Sequence, residues 1–322
     1  MGTPYVTNRV TALAMKLGPL KTTAFRSYNY AAKYLNRTYT AKTYFGSAVR
    51  CDPRDYIQRM IFSFGFWEPH VSAYIEEVLK PGDTFVDVGA NIGYHSLLAA
   101  QLVGSQGSVV AVEAAPATFA LLQKNLEINR CDQVLAMNIA ASDEYGQVNL
   151  FGDECLATTT TIPNRGLPLV ATIPCAPLSS IIPVSLLKTV RLVKIDIEGG
   201  EIPVMKDLSS NIDCFSPDVQ VIAEASMAES KTSWAEILNK MRERGFTAYK
   251  IPNEYSDEAY LNWRFSALQY RSANCREANS TFSLDGITFR VSGCSFPSND
   301  IKFFVRAQEP PDEREPNVTR AA

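Results

Sequence analysis

Hydrophobic positions change their period along the chain, and each change marks an element. After the turn Lys80-Pro81-Gly82-Asp83 comes Thr84-Phe85-Val86-Asp87-Val88, a β-branched and aromatic run. Small residues follow, then Leu97–Val103 at helical spacing. The order reads as strand, tight turn, helix. It repeats with Ser108–Glu113 as strand and Ala117–Asn129 as helix, where Phe119, Leu122 and Leu126 form the buried face. Val134–Ile139 reads as a third strand. Val190–Ile195 leads into a helix from Glu201, and Val219–Ala223 leads into a helix over Ser233–Arg244. Thr247–Ile251 and Lys302–Val305 close the series. Such alternation predicts an α/β fold: a doubly wound, mostly parallel sheet of Rossmann-like form with helices on both faces.

Two stretches interrupt the alternation. Phe151–Ile182 holds Thr158-Thr159-Thr160-Thr161 and several prolines, and predicts extra antiparallel strands or an active-site loop, with the threonines on an edge strand. Pro252–Asn299 carries Tyr255, Tyr260, Trp263, Phe265 and Tyr270 before the final strand. An insertion of that length is expected to be a functional lid or to hold elements of its own. These breaks divide the chain into an N-terminal extension over 1–65, a catalytic-type domain over 66–307 and a disordered tail over 308–322, rich in Pro, Glu and Arg.

Charge sharpens the division. Residues 1–51 hold eight basic side chains and no acid, against a net charge of −3 for the whole chain, so a basic arm precedes a body of charge −11. Val6, Val10, Leu13, Leu17 and Leu20 recur at three- and four-residue steps and predict an amphipathic helix at the start of the arm. That helix would cap the body, act as a transit peptide, or make peripheral contact with a membrane surface. The acidic body argues against a nucleic-acid partner, because phosphate binding needs a basic surface. Seven cysteines, none in a C-x-x-C pair, give neither a zinc signature nor a disulfide framework, and no apolar run resembles a signal peptide or a membrane span. The expectation is a reducing, cytoplasmic setting.

Candidate chemistry lies where strands meet helices. Asp87-Val88-Gly89-Ala90-Asn91-Ile92-Gly93 sits at the first such point, where doubly wound sheets bind nucleotides. Gly89 would let a ligand touch the main chain, and Gly93 would let the helix start close to the strand. Glu113, twenty residues beyond Gly93, ends the second strand and is placed to accept ribose hydroxyls. A dinucleotide fingerprint needs glycines where this chain has Asn91 and Tyr94, which disfavours NAD. The D-x-G-x-x-x-G turn, flanked by acids, instead suits a cationic amino acid joined to adenosine, namely S-adenosylmethionine.

Four ordered motifs carry a family resemblance: Gly65-Phe66-Trp67-Glu68-Pro69, Val86–Tyr94, Ala140-Ala141-Ser142-Asp143 and Val193-Lys194-Ile195-Asp196-Ile197-Glu198-Gly199-Gly200-Glu201. Together, from about Arg54 to Arg244, the chain resembles the FkbM-type S-adenosylmethionine-dependent methyltransferases. The resemblance implies a class I methyltransferase fold with an antiparallel last strand, and O-methylation of sugars or polyketide-like metabolites. It also implies that Asp87, Gly89, Ala90, Asn91 and Gly93 line the methionine and ribose end, with Glu113 on the ribose hydroxyls. Ser142 and Asp143 would meet the adenine edge, and Glu68 would brace the amino-acid end. Leu178-Ser179 departs from the Leu-Asp pair usual in relatives, and the aromatic insertion has no counterpart in the minimal pattern.

The fourth strand brings three carboxylates into six residues. Alternation along a strand would put Asp196 and Glu198 on one side, over the carboxyl ends of the strands, with Glu201 in the first turn of the next helix. Methyl transfer to an alcohol is an in-line displacement that still requires loss of a proton. Asp196 is the first candidate to orient the hydroxyl and take that proton, and His95 is the second. Glu198, Glu224, Tyr255 and Trp263 are candidates for the acceptor pocket, for a glycan or other small molecule. A divalent cation on Asp196, Glu198 and Glu224 is an alternative that one Asp-x-Glu pair supports weakly. The competing readings are an N-methyltransferase and an inactive scaffold on the same fold.

Overall fold

A computed structural model of the chain describes residues 16–32, 34, 38–152, 159–161, 166–225, 231–251, 255, 257–262, 280–284, 287–291 and 300–306. The apolar runs become one seven-stranded sheet. Its strands are β3 (Thr84–Val88), β4 (Ser108–Val112), β5 (Val134–Met137), β10 (Val190–Ile195), β11 (Gln220–Ala225), β12 (Phe246–Ile251) and β15 (Asp300–Arg306). Their order across the sheet is β12-β15-β11-β10-β3-β4-β5. The five from β11 to β5 run parallel, and β15 lies antiparallel between β11 and β12. This is the expected Rossmann-like class I methyltransferase topology. The strand order reverses beside β3, which puts a crevice at its carboxyl end.

Both faces of the sheet are covered, so the central strands read as continuous apolar runs. Val86, Val110, Val193 and Val221 point to one face and pack against Val204, Met205 and Leu208 of α8 (Glu201–Asn211), and against Trp234, Ile237 and Leu238 of α9 (Lys231–Glu243). Phe85, Val109, Leu192 and Ile222 point to the other. There they meet Val71 and Ile75 of α3 (Pro69–Val78), and Leu98 and Val103 of α4 (Tyr94–Val103). α5 (Pro116–Asn129) buries Leu122 and Leu126, while Phe119 is partly buried.

A second, four-stranded sheet combines strands of the Phe151–Ile182 interruption with strands that begin just before it, and α6 (Leu178–Ile181) and α7 (Val184–Leu187) follow it. It consists of β6 (Ala140–Ser142), β9 (Leu169–Pro177), β7 (Gly146–Gly152) and β8 (Thr159–Thr160), in that order, with β7 antiparallel to both β8 and β9. Thr159 and Thr160 stand on its edge strand.

The N-terminal extension contains more than helix. α1 (Lys21–Ala32) buries Phe25, Asn29 and Ala32, then a hairpin of β1 (Tyr39–Lys42) and β2 (Ala48–Cys51) precedes α2 (Tyr56–Phe64). The Ala48 and Arg50 amides donate to Asn129 Oδ1 and Asn125 Oδ1 at 2.9 and 2.8 Å, tying the hairpin to α5. Leu17 and Leu20 are exposed and fall at a short 3-10 turn, Gly18–Leu20, so the apolar stripe expected to start the arm is not buried in its described part. Val6, Val10 and Leu13 lie outside the described residues, as do Trp263, Phe265, Tyr270 and the tail. Within the insertion, α10 (Asp257–Asn262) packs against α1, where Asn29 Nδ2 donates to Asp257 Oδ1 at 3.2 Å, and β13 (Ser280–Leu284) pairs antiparallel with β14 (Ile287–Val291). Among the described residues no helix is long and apolar enough to cross a membrane.

Candidate active site

The turn from β3 to α4 is bolted to the strands on either side. The Gly89 and Ala90 amides both donate to the Val112 carbonyl at the end of β4, at 2.9 and 3.0 Å. On the other flank the Asp196 amide donates to the Val88 carbonyl at 3.0 Å. Gly89 has φ +80°, and a Cβ placed on it would lie 1.8 Å from the Asp196 carbonyl oxygen. Close approach of neighbouring main chain therefore requires this glycine, before any ligand is considered.

Asn91 follows in the left-handed region at φ +51°. Its amide donates to Glu113 Oε2 at 2.9 Å, and the Ala115 amide donates to Glu113 Oε1 at 2.8 Å. The carboxylate is thus fixed at the crevice with lone pairs to spare. Burial raises the Glu113 carboxyl to about 7, against the lowering effect of these two amides.

The next strand brings an ion pair under the turn. Lys194 in β10 is the register partner of Asp87 in β3, and its Nζ lies 3.9 Å from Asp87 Oδ1 and 2.9 Å from Asp196 Oδ2. Burial works against the lysine charge, but Asp196 and Asp87 outweigh it and hold the ammonium above its ordinary range. For Asp196, burial pushes the carboxyl up, and Lys194 more than reverses this to leave it below the usual carboxylate value. Burial raises Asp87, whose Oδ2 accepts from Ser96 Oγ at 2.6 Å. Glu224, at the end of β11, is pushed up to about 9 by burial, by the Asp196 charge and by its hydrogen bond to that group.

Beyond β10 the chain turns sharply. The strand ends at Ile195, so alternation does not bring Asp196 and Glu198 together. Both line the cavity from the loop, in which Glu198 takes φ +56° and Gly199 φ +117°. Thr160 Oγ1 donates to the Glu198 carbonyl at 2.6 Å and Thr161 Oγ1 to the Gly199 carbonyl at 3.0 Å. Glu201, buried in the first turn of α8, accepts from the Ile197 and Gly199 amides at 3.1 and 3.0 Å. The edge threonines and Glu201 thus hold the loop in shape.

The upstream motif closes the other wall. Glu68 has φ +41° and precedes α3, and Tyr260 Oη accepts from its amide at 3.2 Å. Tyr255 Oη donates to Glu68 Oε1 at 2.6 Å, and Tyr255 stacks on Trp67 with ring centroids 5.3 Å apart. Tyr56 Oη in turn donates to the Tyr255 carbonyl at 2.8 Å. His95, in the first turn of α4, has Nε2 4.0 Å from Glu68 Oε2. Burial, then the Lys194 charge, holds its imidazole well below 6.5, so it is neutral at pH 7.

These groups enclose a cavity of about 460 Å³. Of the predicted residues, Glu68, Gly89, Ala90, Asn91, His95, Glu113, Ser142, Asp196, Glu198, Glu224 and Tyr255 line it. Asp87 lies beneath the floor, Gly93 starts α4 behind it, and Asp143 is exposed beside the rim. Lys194 carries no role in the sequence reading, although it bridges two predicted acids. Its signal is a cation near the carboxyl end of an otherwise largely apolar parallel strand that also holds Arg191, where an unpaired charge would be costly. Three of the four non-glycine residues with positive φ among the described residues (Glu68, Asn91, Glu198) line the cavity, the clustering of strain expected at a functional site. No cluster of His, Cys, Asp and Glu suited to a metal ion occurs among the described residues.

Comparison with known proteins adds a family model described as a methyltransferase FkbM domain, which matches residues 87–248. The chain is similar to a protein-L-isoaspartate O-methyltransferase of Caenorhabditis elegans, 30% identical over 104 residues, covering 31% of this chain and 46% of that protein. It is also similar to protein-L-isoaspartate O-methyltransferase 1 of Archaeoglobus fulgidus, 27% identical over 104 residues, covering 32% of this chain and 47% of that protein. The chain spans less than half the length of these curated relatives. Among solved structures it is similar to an rRNA methylase from Streptococcus thermophilus, with TM-score 0.42 and 11% identity, covering 76% of this chain and 98% of that one.

Proposed function

The chain belongs to the FkbM methyltransferase family, whose domain spans residues 87–248, and on that premise we propose that it moves a methyl group from S-adenosylmethionine to a hydroxyl oxygen of a sugar or glycosylated metabolite. The observation that carries the cofactor is the Glu113 carboxylate, held by the Asn91 and Ala115 amides at the switch point of the sheet. Its remaining lone pairs suit two ribose hydroxyls, and the cavity volume falls in the range of ligand pockets, roughly 300 to 1,000 Å³. The acid-rich opposite end suits a ligand that brings an ammonium and a sulfonium. The residues present therefore fit this cofactor.

When bound, S-adenosylmethionine supplies an electrophilic methyl group on a positively charged sulfur. Glu113, Asn91 and the Gly89–Ala90 main chain bind and orient the nucleoside end. Asp196, held ionised by Lys194, orients the acceptor hydroxyl by accepting its hydrogen bond. Trp67, Tyr56 and Tyr255 form an aromatic wall that a sugar face would cover, excluding water from the reacting atoms. Alignment inside such an enclosure supplies much of the rate for a displacement of this kind.

An anionic acceptor of the isoaspartyl kind named for the curated relatives is disfavoured by Glu68, Asp196 and Glu198 around the same space. Incubation with methyl-labelled S-adenosylmethionine and a panel of deoxysugars, glycolipids and isoaspartyl peptides tests the acceptor class. Label in an ether-linked methyl of a sugar supports the proposal, whereas label only in the peptide, or in an amine, overturns it.

A further inference from the structure

Three carboxyl groups crowd the acceptor end of the cavity around His95. Asp196 already accepts from Lys194 at 2.9 Å. Glu224 shares a hydrogen bond with Asp196. Glu68 already accepts from Tyr255 at 2.6 Å. His95 Nε2 is buried, makes no hydrogen bond and belongs to a side chain that lines the cavity, 6% exposed. A buried polar atom that makes no hydrogen bond and belongs to a cavity wall is a candidate contact for a hydroxyl bound there.

Resting on the reading of the site as a hydroxyl methyltransferase, we infer that the acceptor proton passes to His95 Nε2 rather than to Asp196, and that Tyr255 is a positioning residue that holds Glu68 against His95. As the new C–O bond forms and the S–CH₃ bond breaks, with its electron pair left on sulfur, the acceptor O–H bond breaks and its proton converts neutral imidazole to imidazolium. Glu68 Oε2, 4.0 Å from Nε2, then faces a new positive charge and stabilises it. Lys194 opposes that charge from β10 and Asp196 favours it, while Tyr94 is the titratable neighbour on the same helix. The net environment keeps His95 neutral before the reaction, the state a proton acceptor needs. The aromatic insertion thus reaches Glu68 through two hydroxyls, Tyr255 on its carboxylate and Tyr260 on its amide.

The chain has two histidines, His70 and His95, so the imidazole Cε1–H signals in an NMR spectrum reduce to two, and His95→Gln assigns them. In protein saturated with S-adenosylhomocysteine, His95 is expected to keep its neutral signal from pH 8 to pH 6. With whichever panel sugar is methylated, His95→Gln is expected to lower kcat roughly 100-fold. Tyr255→Phe keeps the ring on Trp67 and loses only the hydroxyl, so kcat falls roughly tenfold with acceptor KM unchanged. Glu68→Gln lowers kcat at least as far. A charged His95 within that pH range, wild-type turnover in His95→Gln, or a Tyr255→Phe effect confined to KM each overturns the inference. Failure of the wild-type protein to bind S-adenosylhomocysteine would instead overturn the functional reading beneath it.

Discussion

The Asn91 amide reaches the Glu113 carboxylate at 2.9 Å across the carboxyl ends of two neighbouring parallel strands. This one bond joins the glycine turn of β3 to the acid of β4, and it exists because Asn91 accepts a left-handed backbone at φ +51°. Asparagine tolerates that region better than most side chains. The same carboxylate is raised to about 7 by burial.

That value gives the cofactor site a pH dependence. A carboxylic acid with a raised value is mostly protonated at pH 6 and mostly ionised at pH 8. Ribose hydroxyls donate best to the ionised form, so a ligand that binds only this form gains affinity as pH rises through 7. We expect S-adenosylhomocysteine to bind about tenfold more tightly at pH 8 than at pH 6, read by calorimetric titration. A flat profile would remove Glu113 from the ligand.

Two glycines with positive φ should respond differently to alanine. At Gly89 the new Cβ meets main chain at 1.8 Å, whereas at Gly104, φ +67°, it meets nothing within 4 Å. Urea denaturation is expected to show Gly104→Ala losing about 1 to 3 kcal/mol, the cost of a backbone region that is essentially glycine-only. Gly89→Ala should lose more than that, about 4 kcal/mol or above, because two strands must part. Equal losses would mean that β3 and β10 do not meet as described.

Much of this was legible in the sequence. Thr84–Val88 is buried at every position and so reads as one apolar run, and the turn that follows names the switch point. Lys194 was not legible, because burial of its charge depends on Asp87 in a strand a hundred residues away that only the sheet register brings beside it. Asp196 and Glu198 do share the cavity, but from a loop beyond the end of the strand at Ile195 rather than by strand alternation. The hairpin Tyr39–Cys51 has weak alternation of its own and draws its order from the α5 asparagines. The role of Ser179 at the departure from the family pattern also required the structure: its amide and hydroxyl donate to Asp207 at 2.8 and 2.9 Å.

Removing the buried cation should be costly. Lys194→Met leaves Asp87 and Asp196 facing one another's charge with no counter-ion between them. We expect a loss of about 3 to 5 kcal/mol in urea denaturation at pH 7, the range for breaking a buried pair from one side. A loss below about 1 kcal/mol would show that the lysine does not carry the floor of the site.

Asp196 should separate binding from turnover. It touches the acceptor end and not the ribose end, so Asp196→Asn is expected to leave affinity for S-adenosylhomocysteine within about threefold while lowering kcat roughly 100-fold. The check is calorimetry beside a methyl-transfer assay on the sugar found by the panel. Unchanged turnover would remove Asp196 from the mechanism.

The central claim is that the β3 turn and Glu113 form an S-adenosylmethionine site, and calorimetric titration addresses it most directly. S-adenosylmethionine, S-adenosylhomocysteine and NAD would be titrated into the full chain and into Glu113→Ala. We expect micromolar binding of both adenosyl ligands, none of NAD, and loss of the former in the variant. Binding of NAD alone, or of no nucleotide, or adenosyl binding untouched in Glu113→Ala, would contradict the claim.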